Sequence, residues 1–488
     1  MSHEVVVIGA GFGGLSTAIL LARLGFQTTI VEGEPKPGGC LRSYTREGVD
    51  CPVGVHYIGA AAPGEVLGDF LDLLGVRSAL KLRRLGGSGV IDRYIFDDEV
   101  FDLPDTIEKF TASLGRRFAE APDAVAIVST MLRAAMDGLR SEAPRSESAL
   151  SITKSAAEIL ADNNLPDRLV DILAVHGFLL GTNLADCPAS FLSIVTASLL
   201  LSAWELGCTG SDMAEALADS ARQAGVRVII GDPVVGVDVD GGGACGVRLQ
   251  SGAAIPAATV VSAIHPKSLA ELLPAEALPS SYRTGLLRLE ETGGSLGVVA
   301  LVDEKQHPAV DHNVFRLRGK PRHKLEGIYA QLRPSGRPGY ARLVILRESA
   351  YAEWSEWHDT HTGRRGPAYR AKKSQQAQLA LAEVAEAIGP IHGAQIIDTW
   401  TPLTLRDWVG APQGGTYGVR HSMRDGLDFL VMSRPPLGRL FLVGQSAIAP
   451  GLLGISMGVR RVVGALAGRE ALGALMARNR PSSLMGAE

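Results

Sequence analysis

The stretch GAGFGG at residues 9–14 constrains the fold of this chain more than any other feature. It follows a short apolar run, Glu4 to Ile8, and the residues after it keep a helical spacing of apolar side chains up to Gly25. A second apolar run then ends at Glu32. Within about 30 residues the sequence thus predicts a strand, a glycine turn, a helix, a second strand and a terminal acid. This order is typical of a unit that binds a dinucleotide. The sequence therefore predicts a Rossmann-like α/β domain.

The glycines of this turn suit a pyrophosphate. Without Cβ atoms the backbone can approach the phosphates, whose negative charge meets the positive end of the helix dipole. Glu32 is expected to accept hydrogen bonds from the adenosine ribose, which disfavours the 2′-phosphate of NADP. The alternative is a turn that only packs the helix on the strand. The predicted cofactor-binding residues here are Gly9, Ala10, Gly11, Phe12, Gly13, Gly14 and Glu32.

Charge and cysteine content exclude several classes of protein. The 48 basic and 52 acidic residues are spread along the chain and give a net charge of −4, so no basic footprint for nucleic acid is present. The five cysteines are widely spaced without a CxxC pair, and no histidine cluster has zinc spacing. We therefore predict no metal site and no nucleic-acid partner.

The start of the chain, MSHEVVVIG, lacks the basic start and apolar core of a signal peptide, so a cytoplasmic protein is expected. The stretch from Cys187 to Trp204 carries no charge and approaches the length of a membrane span. Its serines and early proline favour a helix in the core or at a substrate cavity, with Asp186 capping its start. Peripheral membrane contact is the alternative.

The residues that follow Glu32 bear on which dinucleotide binds. In the stretch EGEPKPGGCLRSY, Gly38 and Gly39 follow Glu32 closely. This arrangement resembles the FAD-binding signature of the amine-oxidase and phytoene-desaturase superfamily. The resemblance implies FAD as the cofactor. It also implies that four residues lie along the flavin diphosphate and ring: Gly39, Cys40, Leu41 and Arg42.

The segment from Gly225 to Pro266 has the pattern of a β-meander, with a glycine hairpin at residues 241–243. In the superfamily such a segment completes the FAD domain, and the resemblance implies that Val234 touches the adenine through its backbone. A second nucleotide site at GGGACG is the alternative, but no helix pattern follows that glycine run.

Near the carboxyl end, FLVGQ predicts a strand that ends on Gly444, and GLLGISMGVRRVVGAL predicts a helix that begins at a second glycine turn. The amino terminus of this helix would point at the flavin ring, where its partial positive charge stabilises electron density on the reduced form. A helix that serves only packing is the alternative.

Several motifs together resemble the all-trans-retinol 13,14-reductase and carotenoid isomerase branch of the phytoene-desaturase-like flavoproteins. These are VGVHYIG, R-G-P-x-Y-x-x-x-K, TPLT, GGTYG and VGQ followed by GLLGISMG. The resemblance implies that Gly444 and Gln445 lie at the ribityl chain or pyrophosphate. It places Gly454, Ile455 and Ser456 beside the isoalloxazine, and Gly415 and Tyr417 of GGTYG in the substrate pocket.

A chain of 488 residues exceeds the size of one core, about 250 to 300 residues, so at least two domains are expected. The resemblance implies an α/β fold, a Rossmann-like FAD-binding domain with an inserted α+β substrate domain. The expected FAD domain comprises residues 1–75, 205–283 and 401–480. The substrate domain comprises 76–204 and 284–400, and 481–488 form a tail.

A long helix is also predicted between residues 366 and 388, with Leu379, Ala382, Val384 and Ile388 on its apolar side. The basic residues Arg364, Arg365, Lys372 and Lys373 are expected to form a solvated face, with an acidic-lipid or substrate contact as the alternative.

His56 and Tyr57 of VGVHYIG are the candidate catalytic residues. Hydride transfer to or from carbon needs a partner proton, which an imidazole with a pKa near 6.5 or a phenol with a pKa near 10 could exchange. In the alternative, both side chains are satisfied by backbone groups and only shape the pocket.

These features predict an FAD-dependent oxidoreductase that acts on carbon–carbon bonds of an apolar polyene, such as a carotenoid, retinoid or polyene polyketide. Desaturation, saturation and cis-trans isomerisation remain open, as does the electron acceptor. Amine oxidation on the same scaffold is one alternative, which the low number of aromatic residues opposes. A non-catalytic prenyl or lipid carrier is the other, which the intact glycines and Glu32 oppose.

Overall fold

The computed structural model describes residues 4–140, 154–318, 325–422 and 434–479. Its strands are β1 Glu4–Ile8, β2 Gln27–Glu32, β3 Ser43–Arg46, β4 Val49–Pro52, β5 Ile58–Gly59, β6 Arg83–Arg84, β7 Val90–Ile95, β8 Val100–Pro104, β9 Ala203–Glu205, β10 Arg227–Ile230, β11 Val234–Asp240, β12 Gly243–Leu249, β13 Ala254–Pro256, β14 Thr259–Ser262, β15 Gly294–Asp303, β16 Asn313–Arg318, β17 Glu326–Pro334, β18 Tyr340–Ser349, β19 Gln395–Trp400 and β20 Leu440–Leu442.

The α-helices are α1 Phe12–Arg23, α2 Val66–Leu73, α3 Ile107–Arg117, α4 Pro122–Arg140, α5 Ala156–Asp162, α6 Asp167–Ala174, α7 Ala189–Leu201, α8 Gly210–Gln223, α9 Pro266–Leu272, α10 Ser280–Arg288, α11 Gly366–Ile388, α12 Pro402–Val409, α13 Gly451–Ala467 and α14 Arg469–Arg478.

A five-stranded sheet with the order β10-β2-β1-β14-β20 forms the first layer, and every strand pair in it is parallel. The central strand β1 is an unbroken apolar run because both of its faces are covered: Val5 to Ile8 are at most 3% exposed. Helices α1, α8 and α13 contribute to the core on one face. The predicted Rossmann-like sheet is confirmed.

The segment predicted as a β-meander divides between two sheets. β11 and β12 pair antiparallel across the predicted glycine hairpin, and β13 extends them to a three-stranded sheet. β10 and β14 instead pair in parallel with β2 and β1. The meander prediction was therefore wrong at both ends, because each end supplies a parallel strand to the Rossmann-like sheet.

A second sheet of seven strands has the order β19-β15-β18-β17-β16-β7-β8. Its pairs are antiparallel except for β16 with β7, which run parallel. Along β15 the side chains alternate between two cores: Leu296 and Val298 pack in the core that includes α11, whereas Val299 packs with Trp400 on the other face. The strands of this sheet come from the two segments proposed as the substrate domain.

Helix α7 lies in the uncharged stretch predicted to be a core or cavity helix, and Phe191, Leu192 and Leu199 are buried in it. The predicted cap was wrong. Pro188 occupies the N-cap position, and Asp186 lies two residues too early to cap the helix; its carboxylate instead accepts a 3.0 Å hydrogen bond from Asn183 Nδ2. Within the described ranges, no helix combines the length and apolarity needed to cross a membrane.

The predicted apolar side of α11 was partly wrong. The buried face runs through Ala377, Ala380, Leu381 and Val384, which have helical spacing. Leu379 is two residues from Ala377, about 200° around the helix, and is 49% exposed.

The predicted solvated basic face was partly wrong: Arg364 is exposed, but the other three basic residues are buried or half-buried. Arg365 is buried, donates a 3.0 Å hydrogen bond to the Leu403 carbonyl and pairs with Asp407. Lys372 lies over the rings of two buried tryptophans, 5.2 and 5.3 Å from their centroids. These cations stabilise the packing of α11.

Candidate functional site

The first glycine turn joins β1 to α1 by a close backbone approach. Gly9 has a φ of +94°, in the region that favours glycine. A Cβ atom on Gly14 would lie 2.0 Å from the Gly9 carbonyl oxygen, so the first turn of α1 can pack here only with glycine at that position. The turn therefore depends on residue types that the sequence singled out.

Two helix amino termini are open to an anion. Helix α1 has Gly11 at its N-cap, without a side-chain cap and without an acidic residue in its first turn. Helix α13 has Pro450 at its N-cap and shares both features. The free N–H groups and positive dipole ends of such helices attract phosphate and other negative charge.

Three segments that are distant in sequence meet at this place. Gly11 forms a parallel bridge with Gly38, whose N–H donates a 2.8 Å hydrogen bond to the Ala10 carbonyl. A Cβ atom on Gly13 would lie 3.1 Å from the Gly444 nitrogen. The glycine turns at the two ends of the chain thus border one site.

Glu32 is fixed at the end of β2 by backbone donors. Its Oε2 accepts a 2.7 Å hydrogen bond from the Ala10 N–H, and its Oε1 accepts one of 3.0 Å from the Glu34 N–H. The carboxylate is half-buried and faces the cavity described below. It has free lone pairs for two hydroxyl groups, the chemistry of a ribose.

Arg42 is tied to protein groups. Its guanidinium donates to Glu34 Oε2 at 3.3 Å, to the Gly39 carbonyl at 3.4 Å and to the Trp408 carbonyl. The side chain links the second glycine pair to the end of α12. Part of the hydrogen-bonding capacity of the Arg42 guanidinium is therefore used to stabilise the wall of the site.

A continuous cavity of about 1170 Å³ begins between these segments and extends towards the seven-stranded sheet. Most residues predicted to contact the cofactor line it: Gly9, Gly11, Phe12, Gly13, Glu32, Gly38, Gly39, Cys40, Leu41, Arg42, Val234, Gly444, Gln445, Gly454 and Ile455. Three do not. Ala10 holds Glu32 through its N–H, Gly14 packs on Gly9, and Ser456 is fully buried with its hydroxyl donating to the Leu453 carbonyl at 2.7 Å.

The far part of the cavity is apolar. Helix α7 and the segment before it supply one wall, and strands β16 to β18 supply another. The apolar lining side chains are Phe178, Leu179, Leu184, Phe191, Ile194, Val195, Leu199, Phe315, Ile328 and Leu346. The sequence indicated this wall only through the uncharged stretch that contains α7.

The segment VGVHYIG runs between the two parts of the cavity. A Cβ atom on Gly54 would lie 2.2 Å from the Cys40 carbonyl oxygen, and one on Gly59 would lie 2.4 Å from Ser198 Oγ of α7. His56 and Tyr57, between these glycines, both line the cavity. The segment therefore places them between the glycine-rich end and the apolar end.

The His56 imidazole is held neutral. Burial lowers its pKa to about 4, an effect that the Val53 backbone opposes and that the positive charges of Arg342 and Arg333 strengthen. Both ring nitrogens are shielded from solvent. The Val53 backbone lies close enough to the imidazole to act as a hydrogen-bond partner, so the catalytic role and the alternative, a histidine satisfied by backbone groups, both stay predictions.

Tyr57 donates to a buried acid that the sequence reasoning missed. Its hydroxyl lies 3.3 Å from Asp92 Oδ2, and its ring stacks on Tyr329 with 6.1 Å between centroids. Burial and the neighbouring Asp92 raise the pKa of Tyr57 well above its ordinary value, so the phenol stays protonated. A signal was present: in β7 Asp92 alternates with Val90 and Tyr94, so it shares the face of the strand that these two side chains occupy.

Gly415 and Tyr417, the predicted substrate-pocket residues, line the same cavity. The Tyr417 N–H donates a 3.0 Å hydrogen bond to Thr292 Oγ1, and its ring lies against Gly181. Burial raises the pKa of Tyr417 to about 12. In the part of the chain that the structure describes, no group of three or more histidine, cysteine or acidic side chains could hold a metal ion.

Comparison with known proteins identifies the family of this chain. The sequence model described as "Flavin containing amine oxidoreductase" matches residues 12–454. Hydroxyneurosporene desaturase from Cereibacter sphaeroides is 28% identical over 285 residues, which cover 54% of this chain and 57% of that enzyme. All-trans-retinol 13,14-reductase from Homo sapiens is 41% identical over 63 residues, 13% of this chain and 10% of that protein.

A solved structure shares the fold over nearly the whole chain. An oxidoreductase from Methanosarcina mazei superposes with a TM-score of 0.65 at 15% identity, covering 94% of this chain and 99% of the other. At that identity the likeness concerns the fold alone.

Proposed function

The chain belongs to the flavin containing amine oxidoreductase family, and we propose that within it the protein oxidises or reduces carbon–carbon bonds of an apolar polyene. Membership confirms two predictions: the protein is an FAD-dependent oxidoreductase, and its fold is the Rossmann-like FAD-binding fold. The predicted resemblance to phytoene-desaturase-like flavoproteins is confirmed as well. The substrate and the reaction direction are the proposed part.

The observation that carries the proposal is the continuity of the cavity. Its glycine-lined end has the form of a dinucleotide cradle, and its other end is walled by aliphatic and aromatic side chains. An apolar chain placed there gains the hydrophobic free energy of burial, whereas a cationic amine would bind best in an aromatic cage. The stacked pair Tyr57 and Tyr329 contact each other and form no such cage. A polyene fits this chamber best.

The residues present fit FAD. The cradle is lined by glycines at Gly11, Gly13 and Gly39, where side chains would occupy the space needed by the diphosphate, and Glu32 is aimed at the same cavity. We propose that the ribose binds Glu32 and that the helix ends at Gly11 and Pro450 face the negative charge of the cofactor. When bound, FAD exchanges a hydride with a substrate carbon.

We propose His56 and Tyr57 as the residues that serve the proton part of the reaction. At neutral pH the imidazole is uncharged and the phenol protonated, so Tyr57 can donate a hydrogen bond or proton while His56 can accept one. Gly415 and Tyr417 are proposed to shape the substrate chamber opposite them.

The test uses purified FAD-loaded protein without oxygen, once with the flavin oxidised and once with the flavin reduced by dithionite, so that either direction can run for one turnover. Hydroxyneurosporene and all-trans-retinol are added separately, and products are separated by chromatography and identified by their absorbance spectra and masses. A product with two hydrogens more or fewer supports the proposal, and an isomer of equal mass supports the isomerase form. In a separate assay in air, peroxide release from a simple amine such as putrescine, with both polyenes unchanged, would favour amine oxidation. Tight binding of a polyene by protein that cannot be loaded with FAD would favour the carrier.

A further inference from the structure

Asp92 is an acid buried directly behind the cavity wall. It lies on β7, is 0% exposed and is absent from the cavity lining. Its Oδ1 accepts a 2.8 Å hydrogen bond from Asn313 Nδ2, and its Oδ2 accepts one of 3.3 Å from the Tyr57 hydroxyl. No lysine or arginine of the described residues forms an ion pair with it. Such a carboxyl is stable when neutral, because an unpaired buried charge is costly.

The nearest cation has other partners. Arg333 pairs with Glu205 through Nε and donates from Nη2 to Asn313 Oδ1 at 2.9 Å. Its remaining nitrogen donates to the carbonyls of Val310, His312 and Leu332. Asn313 therefore stands between the guanidinium and Asp92, and the positive charge acts on the acid only at a distance.

Burial and these contacts together determine the pKa of Asp92. Burial raises its pKa to about 7, although the hydrogen bonds from Asn313 and Tyr57 and the charge of Arg333 act in the opposite direction. The carboxyl therefore changes its protonation state in the neutral range.

Tyr57 connects this acid with the cavity. Its ring lines the cavity and its hydroxyl points at Asp92. The ring is held parallel to Tyr329, with 5° between the planes, and the Tyr329 hydroxyl donates to Asn313 Oδ1 at 3.1 Å. Among the described residues, Tyr57 is the one side chain that hydrogen-bonds to Asp92 and also lines the cavity.

We propose that Asp92 is a positioning residue that stores a proton behind Tyr57 and exchanges it with the reaction through the Tyr57 hydroxyl. The inference rests on the proposed carbon–carbon chemistry. When a double bond is reduced, bound reduced FAD would supply the hydride for one carbon, and the other carbon would receive the Tyr57 proton. The Asp92 proton then passes to the Tyr57 oxygen, which leaves a carboxylate. In the oxidation, for which bound FAD would accept the hydride, the proton would travel from carbon through Tyr57 to an ionised Asp92.

Other groups that face this pair determine its proton affinity. They come from β7, β9, β17, the loop before β5 and the segment that follows α12. These groups are Tyr94, Glu205, Tyr329, Arg333, His56 and Tyr417. The arginine favours the Asp92 carboxylate, while Asp92 in its charged form keeps the phenols protonated.

The first test needs no substrate. The FAD-loaded full chain is labelled with carboxyl-¹³C aspartate, and its carbon signals are followed by NMR between pH 4 and 9. We expect a signal with a midpoint near pH 7 that is missing in Asp92→Asn and shifted in Tyr57→Phe. The control is Asp102→Asn, which removes an acid paired with Arg93 on the neighbouring strand and should retain the signal. Absence of any aspartate signal that titrates above pH 5 would overturn the proposal.

The second test uses the polyene that the wild type converts. Asp92→Asn should lower kcat at least tenfold with KM unchanged and should remove the step near pH 7 from the kcat profile. Equal FAD content and far-UV circular dichroism establish that the variant is folded. A variant that keeps the wild-type pH profile refutes the relay. If the wild type converts neither hydroxyneurosporene nor retinol, the proposed function fails, while the NMR titration still decides whether Asp92 and Tyr57 share a proton.

Discussion

Replacing Asp92 with asparagine should make the protein's stability less dependent on pH in a defined direction. The pKa of this carboxyl is about 7 in the folded protein against an ordinary 3.8. Between these values folding takes up a proton, so the stability contributed by Asp92 is full below pH 3.8 and is lost as the pH rises through 7. At about 1.4 kcal/mol per pKa unit, the whole change is roughly 4 kcal/mol.

Over an accessible range, pH 5 to 8, the linkage relation gives a change of about 2.5 kcal/mol. The asparagine side chain has nearly the same shape and its oxygen can still accept from Asn313, but it has no proton to lose. The free energy of unfolding of Asp92→Asn relative to wild type should therefore rise by that amount from pH 5 to pH 8. Buried His56, whose lowered pKa acts in the opposite direction, is present in both proteins and cancels in the difference.

The assay is urea unfolding of both FAD-loaded proteins, followed by tryptophan fluorescence at pH 5, 6.5 and 8. The unfolding midpoints and slopes give the difference in free energy at each pH. A difference that stays constant within about 0.5 kcal/mol would show that Asp92 is ionised throughout the range. The reasoning about its burial and missing counterion would then be refuted.

Three further outcomes follow from packing. Gly14→Ala places a Cβ 2.0 Å from a carbonyl oxygen of the preceding turn, so it should cost at least about 2 kcal/mol and lower the FAD content measured by absorbance; normal flavin loading would contradict this. Arg333→Met removes the buried partner of Glu205, which keeps only the more exposed Arg83, and urea unfolding should show a loss of about 3 kcal/mol; no loss would mean that the pair is dispensable. Leu381→Ala, at a buried position of α11, should cost about 2–4 kcal/mol, whereas the matched exposed change Leu379→Ala should cost less than about 0.5 kcal/mol; equal costs would reject the observed helix face.

The features that could be predicted from sequence are local ones. The turn at Gly9 to Gly14 combines a positive φ with a close approach, and both requirements appear directly as glycines. The helix that begins at Gly451 and the hairpin between β11 and β12 were predicted for similar reasons. The convergence of the two glycine turns was also expected, because a dinucleotide fold brings the carboxyl ends of parallel strands to one edge.

The failures concern contacts over long distances in sequence. The face of α11 was misplaced because apolar residues occur all round the helix, and only packing on the seven-stranded sheet selects Ala377, Leu381 and Val384. Likewise, the sequence pattern around Arg365 predicts a surface cation, because it does not show that Asp407 and the Leu403 carbonyl lie beside this side chain in the fold. A single sequence does not show which distant residues become partners in the folded protein.

The polar cluster at Asp92 shows what sheet register adds. Asn313 is opposite Asp92 in the parallel pair β7–β16 and opposite Gln331 in the antiparallel pair β16–β17. A slip of one residue in either pair would turn these side chains to the other face of the sheet. Strands from the two segments of the proposed substrate domain must therefore be in exact register before Asp92 can lie behind Tyr57. This coupling explains why a buried acid can be held next to the cavity without a counterion: the sheet fixes the amide and the phenol that satisfy its oxygens.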